Sequence, residues 1–188
     1  ANDATTNTNK AEVLATLQAV QSTLEQNAGE IKKLSDKVNE CLKHKEVNDN
    51  KWNDLTKDKD GRLTKLASDI ESILTEYDSN KKEDFTKLQD GLRNEYNDLY
   101  SNIEASFKAE TLIENWDNKT VEGEEIKGFD SQISDLETRV KDADSDAKLS
   151  AANRTAYDAT KKEYDDQKIA DKINDASNNL DGEWAQYV

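Results

Sequence analysis

Apolar residues in the first third of the chain fall at Val13, Leu17, Val20, Leu24, Ile31, Leu34, Val38, Cys41, Trp52 and Leu55. Steps of four and three residues place them on one stripe of an α-helix, the pattern of a coiled-coil seam. Asn27, Lys45 and Asn48 lie on the same stripe. Polar residues at such positions fix register at some cost in stability. After Leu55 the run Lys57-Asp58-Lys59-Asp60-Gly61-Arg62 reads as a turn, because glycine after aspartate tolerates positive φ at a helix end. The first hairpin is expected there.

From Leu63 the spacing changes. Leu63, Leu74, Phe85, Tyr96 and Phe107 are separated by eleven residues, as are Leu66, Tyr77, Leu88 and Leu99, with Ile70, Leu92 and Ile103 completing the face. Eleven residues in three turns is about 3.67 per turn, which predicts a nearly straight helix without a left-handed supercoil. Asn115 to Gly123 reads as a second turn. Ile126, Phe129, Ile133, Leu136, Val140, Ala143 and Ala147 then resume heptad spacing, and Tyr157 and Tyr164 continue it. After a phase shift, Ile169, Ile173, Ala176, Leu180 and Trp184 carry the stripe onward. The small residues Ala143, Ala147, Ala151 and Ala152 mark either a close helix approach or a local break around Asp142 to Asp146.

These seams predict an all-α fold: an elongated antiparallel bundle of three long helices with coiled-coil packing along heptad and hendecad seams. The expected helices span about 10–57, 62–116 and 125–184. Residues 10–188 form a single bundle, and residues 1–9 a flexible polar N-terminus. Trp52, Trp116 and Trp184 each fall near the C-terminal end of one expected helix, where each is expected to close an end of the bundle.

Composition narrows the picture. Only 34% of the 188 residues are hydrophobic and 36% are charged, so a thick core is undersupplied. Proline is absent and glycine occurs six times, which suits few turns and excludes a fold of many short strands. With 41 acidic and 26 basic residues the formal net charge is −15, with a pI near 4.5, which repels phosphate backbones and anionic membrane surfaces. The expected partners are copies of the chain or related helical proteins, with no nucleic acid and no membrane insertion. The methionine-free sequence starts Ala1-Asn2-Asp3, which suggests a processed mature chain in an extracellular or secretory compartment. A cytoplasmic location stays open.

Candidate chemistry is sparse. Calcium loops need oxygen ligands at positions 1, 3 and 5, glycine at 6 and glutamate at 12. Asp58, Asp60, Gly61 and Leu63 suit positions 3, 5, 6 and 8 of one incomplete loop, in which Thr56 and Ala67 replace ligands. Asp142, Asp144, Asp146 and Leu149 suit positions 1, 3, 5 and 8 of a second, in which Ala147 and Asn153 replace the glycine and glutamate. At best these are weak calcium sites; the plainer reading is aspartates that solvate turns and cap helices. No other cofactor is indicated. Cys41, alone of its kind, allows an interchain disulfide across a parallel seam, or it is a small core residue. One histidine and no glycine-framed serine leave nucleophilic catalysis without its parts, so no enzymatic activity is expected.

In overall character the acidic, proline-free and methionine-free chain, with its seams from Val13 to Trp184, resembles the mature matrix polypeptides of ciliate secretory granules, the trichocyst matrix class. That resemblance implies a structural protein that self-assembles or co-assembles with relatives into an extracellular or secretory-granule filament or lattice, modulated by calcium. It carries over no functional residue. The alternatives are a helical surface adhesin or binding module of a bacterium or parasite, and a cytoplasmic coiled-coil scaffold.

Overall fold

The computed structural model describes residues 2–188. Among them are five α-helices: α1 (Asn2–Thr56), α2 (Arg62–Ser72), α3 (Lys82–Lys108), α4 (Phe129–Asp166) and α5 (Ile169–Tyr187). A short 3₁₀ turn at Ser79–Lys81 precedes α3, and two strands, β1 (Lys119–Val121) and β2 (Glu124–Ile126), form one antiparallel hairpin before α4. The all-α class is thus observed. The chain divides into two compact units, Ala1–Trp52 and Asn53–Val188.

The first unit is α1 as far as Trp52. It is continuous, without a break at Gly29, and begins at Asn2, ahead of the residue 10 expected from the pattern. Its stripe residues from Val13 to Val38 are exposed, as are Leu14 and Leu42 beside them. Asn48, a polar residue on the stripe, is buried.

The second unit is built around α2, α3 and the N-terminal half of α4, each packed on the other two. Its core comprises Leu63, Leu66, Ile70 and Ile73, then Leu92, Leu99, Ile103 and Leu112, then Phe129, Ile133, Leu136, Val140, Ala143 and Ala147, with Leu55 at its start. The heptad residues of α4 thus point inward only as far as Ala147. The small residues there mark a close approach, not a break: α4 runs unbroken through Asp142–Asp146, and Ser150 Oγ accepts from the Asp78 backbone N–H at 3.3 Å.

The turns differ from the expected geometry. The turn after α1 forms, but its positive φ belongs to Asp58 (φ 40), while Gly61 is extended at φ −64. Gly61 is required by close approach: a Cβ there would lie 2.6 Å from the Lys57 backbone N and 2.7 Å from the Leu55 carbonyl oxygen. The helix expected over 62–116 is two helices, with residues 73–81 reversing the chain between them. Asp78 directs that reversal, its side chain accepting from the Asn80 backbone N–H at 3.1 Å. Past α3 the chain leaves the helix at Glu110 (φ 57), and Thr111 N–H bonds the Ser106 carbonyl at 2.8 Å. The hairpin turns on Glu122 (φ 52) and Gly123 (φ 85), two positive-φ residues that match the right-handed twist of paired strands.

The helix expected over 125–184 is likewise divided. Lys168 takes a left-handed conformation (φ 51, ψ 42) between α4 and α5, at the place where the apolar stripe changes phase. Gly128 fits between α4 and the preceding loop because a Cβ would come within 2.2 Å of the Trp116 carbonyl oxygen.

Candidate functional site

Polar side chains in the second unit act as braces. Arg62, at the start of α2, reaches α4 three times: Nε to Glu137 Oε1 at 2.8 Å, Nη1 to Asp130 Oδ1 at 2.5 Å and Nη2 to Ser134 Oγ at 2.7 Å. Partial burial alone would lower its pKa; the hydrogen bonds to Glu137 and Asp130 outweigh it and hold the guanidinium above its ordinary value. Gln89, buried on α3, donates to the Ile70 and Glu71 carbonyls in the last turn of α2 at 3.0 and 3.3 Å. Arg93 grips Glu71 with two bonds of 2.9 and 3.0 Å, and its hydrogen bond lowers the Glu71 carboxyl pKa. Tyr96 donates its hydroxyl to the Leu63 carbonyl at 3.0 Å, and burial raises its pKa. Each group is matched to a partner in the same unit, which is the pattern of a fold-holding network.

The aspartates singled out for calcium are not gathered. Asp142, Asp144 and Asp146 lie within the continuous helix α4. Residues two apart on a helix point to opposite sides, so Asp144 faces away from Asp142 and Asp146. Asp144 is instead paired with Lys148 at 2.8 Å. A calcium loop depends on irregular backbone to turn alternate side chains inward, and α4 does not supply it. Asp58 and Asp60 are exposed on the turn after α1. Among the described residues no group of three or more His, Cys, Asp or Glu side chains is placed to hold a metal ion. Cys41 is an exposed free thiol.

One groove in the second unit is lined by Asp78, Lys81, Asp146, Leu149, Arg154 and Tyr157, with the Arg154 guanidinium 5.3 Å from the Tyr157 ring centre. It is open to solvent and carries no paired acid and base.

Exposed apolar surface is the feature these residues leave over. On α1 it comprises Val13, Leu17, Val20, Leu24, Ile31, Leu34 and Val38, with Ile31 at 68% exposure. On α4 past the core, and on α5, it comprises Leu149, Tyr157, Tyr164, Ile173, Leu180 and Trp184. Trp184, expected to close a bundle end, is 69% exposed, because the core that would receive it stops at Ala147. Trp116 is half-buried in the loop after α3. No described helix is long and apolar enough to cross a membrane.

Comparison with protein-family models, curated proteins and solved structures finds no match to this chain. Both exposed stripes are legible in the sequence as periodic seams, and the burial expected of internal seams is not found for them within the described residues. The bracing residues Arg62, Gln89 and Arg93 went unnoticed, since polar residues outside the apolar stripe carry no periodic signal.

Proposed function

We propose that the chain is a non-enzymatic structural protein that self-assembles, or co-assembles with related helical proteins, into an extracellular or secretory-granule filament or lattice. The observation that carries this reading is the pair of exposed apolar stripes, one on α1 and one on α4 and α5. Both keep helical spacing, and a periodic apolar stripe is made to be covered by another helix. Scattered exposed apolar residues would need no explanation, but contiguous ones mark an interaction surface.

Calcium enters this reading as a counter-ion. At a net charge of −15 the chains repel one another, and divalent cations reduce that repulsion without a dedicated loop. The scattered placement of Asp142, Asp144 and Asp146 favours such diffuse binding over a coordinated site.

The test is particle size by sedimentation and light scattering with and without millimolar calcium. Reversible growth into large ordered particles is expected, with magnesium acting nearly as well. A chain that stays a small particle under all these conditions would overturn the assembly reading.

A further inference from the structure

The stripe on α1 is specific enough to name its own cover. We propose that Val13–Cys41 of α1 pairs in parallel and in register with the same segment of a second copy of this chain. This deepens the assembly reading and rests on it.

The first support is the helix itself. Helices in water draw most of their stability from packing an apolar face, and a solitary one owes little to propensity. The α1 stripe is exposed over some four heptads, and the helix holds Gly29 and several asparagines that weaken it further.

The second is area. Fully covered, each aliphatic side chain of the stripe offers roughly 60–120 Å². The eight from Val13 to Cys41 together supply on the order of 500–1,000 Å², against the roughly 800 Å² that each partner gives to a standard interface.

Charge is the third. Residues 1–52 hold eight acidic and seven basic side chains, a net of −1. The remaining 33 acidic and 19 basic residues, a net of −14, lie in 53–188. The acidic repulsion that opposes self-association is thus almost absent from α1. Flanking the seam, in-register parallel pairing sets Glu30 opposite Ser35 and Lys37 opposite Leu42 of the second copy, with no like charges facing.

Asn27 fixes direction and register. In heptad terms Leu17, Leu24, Ile31 and Val38 occupy a, and Val13, Val20, Asn27, Leu34 and Cys41 occupy d. Parallel in-register pairing sets d against d, so Asn27 meets the Asn27 of the second copy and the two amides satisfy each other. A slip of one heptad sets it against Val20 or Leu34. The antiparallel arrangements that best overlap the stripe set it against Leu24 or Ile31. Each of those leaves a buried amide unpaired, at a cost the in-register arrangement avoids.

The experiment uses the full chain. Sedimentation equilibrium at micromolar concentration without calcium should give a mass of at least two chains. Oxidised glutathione, accepting the two electrons of a thiol pair, should convert Cys41 into an interchain disulfide in high yield. Ile31→Asp should weaken association at least a hundredfold, while Ser22→Asp, at an exposed position of α1 off the stripe, leaves it unchanged. Circular dichroism at a concentration where the unsubstituted chain is a monomer checks that both variants keep its helix content. Asn27→Leu should keep or raise the mass but lower the Cys41 cross-link yield as register is lost. A monomer at all concentrations overturns the proposal, as does an oligomer indifferent to Ile31→Asp, or one that forms without cross-linking through Cys41. Large calcium-promoted particles built from a calcium-free oligomer that Ile31→Asp leaves intact would overturn this seam while keeping the assembly reading. An Ile31-dependent oligomer that never grows further would do the reverse.

Discussion

Two glycines show how unevenly single positions weigh on this fold. Gly128 has no room for a side chain beside the Trp116 carbonyl, whereas Gly91 on α3 has open space around its Cβ direction. Gly128→Ala should cost about 3 kcal/mol, at the upper end of overpacking effects. Gly91→Ala should stabilise by about 1 kcal/mol, the helix-propensity difference. Urea unfolding followed by tryptophan fluorescence checks both signs. Ile133, fully buried, should lose about 2–5 kcal/mol on truncation to alanine. The exposed Ile173 should lose less than about 0.5 kcal/mol in the monomer. Sequence spacing alone ranks these two isoleucines alike. Both sit on a helical stripe, and only the fold decides which stripe meets a neighbour in the same chain.

Among the helices, what periodicity made legible was helix and face. Phe129, Ile133, Leu136, Val140, Ala143 and Ala147 were readable as one face, and all six are buried. The reversal at 73–81 was not readable by the same means. It contains neither proline nor glycine, and the eleven-residue spacing runs numerically through it. The available signal was the cluster Asp78-Ser79-Asn80 with Glu83 and Asp84 following, a helix start written in polar residues. Gln89 and Arg93 then tie α3 back to α2. The Glu71 carboxyl, with its pKa lowered by Arg93, contributes stability that is fully present above the ordinary carboxyl range. That contribution is lost as pH falls through the lowered value. Stability measured against pH should therefore drop on the acid side, and Glu71→Gln should flatten that part of the curve. Glu71 is exposed and Arg93 only half-buried, so the effect should be modest and shrink in high salt.

For the whole molecule, stability should be concentrated between Leu55 and Ala147. Hydrogen exchange should find slow amides in α2, α3 and the first half of α4, and fast ones in α5, whose residues from Ala170 onward are all exposed. Protection in α1 should rise with protein concentration if its stripe is covered by a second copy. The calcium-loop residues should prove interchangeable with other surface acids. Removing Asp142, Asp144 and Asp146 together should shift the calcium concentration for particle growth no more than removing three exposed glutamates elsewhere. A light-scattering titration compares the two. The candidate site was thus legible as surface but not as chemistry, because acidic spacing that suits a loop has a different meaning on a continuous helix.

The continuous helix from Asn2 to Thr56 also acts as a measuring rod. Seven residues advance it by about 10.5 Å while returning the stripe to nearly the same face. Removing one whole heptad, such as residues 14–20, should therefore leave every remaining seam residue in phase. Removing three or four should rotate half the stripe out of line. The spacing of any repeat built through α1 should then change in steps of about one nanometre, so a heptad deletion would be read directly as a shortened period in an electron micrograph.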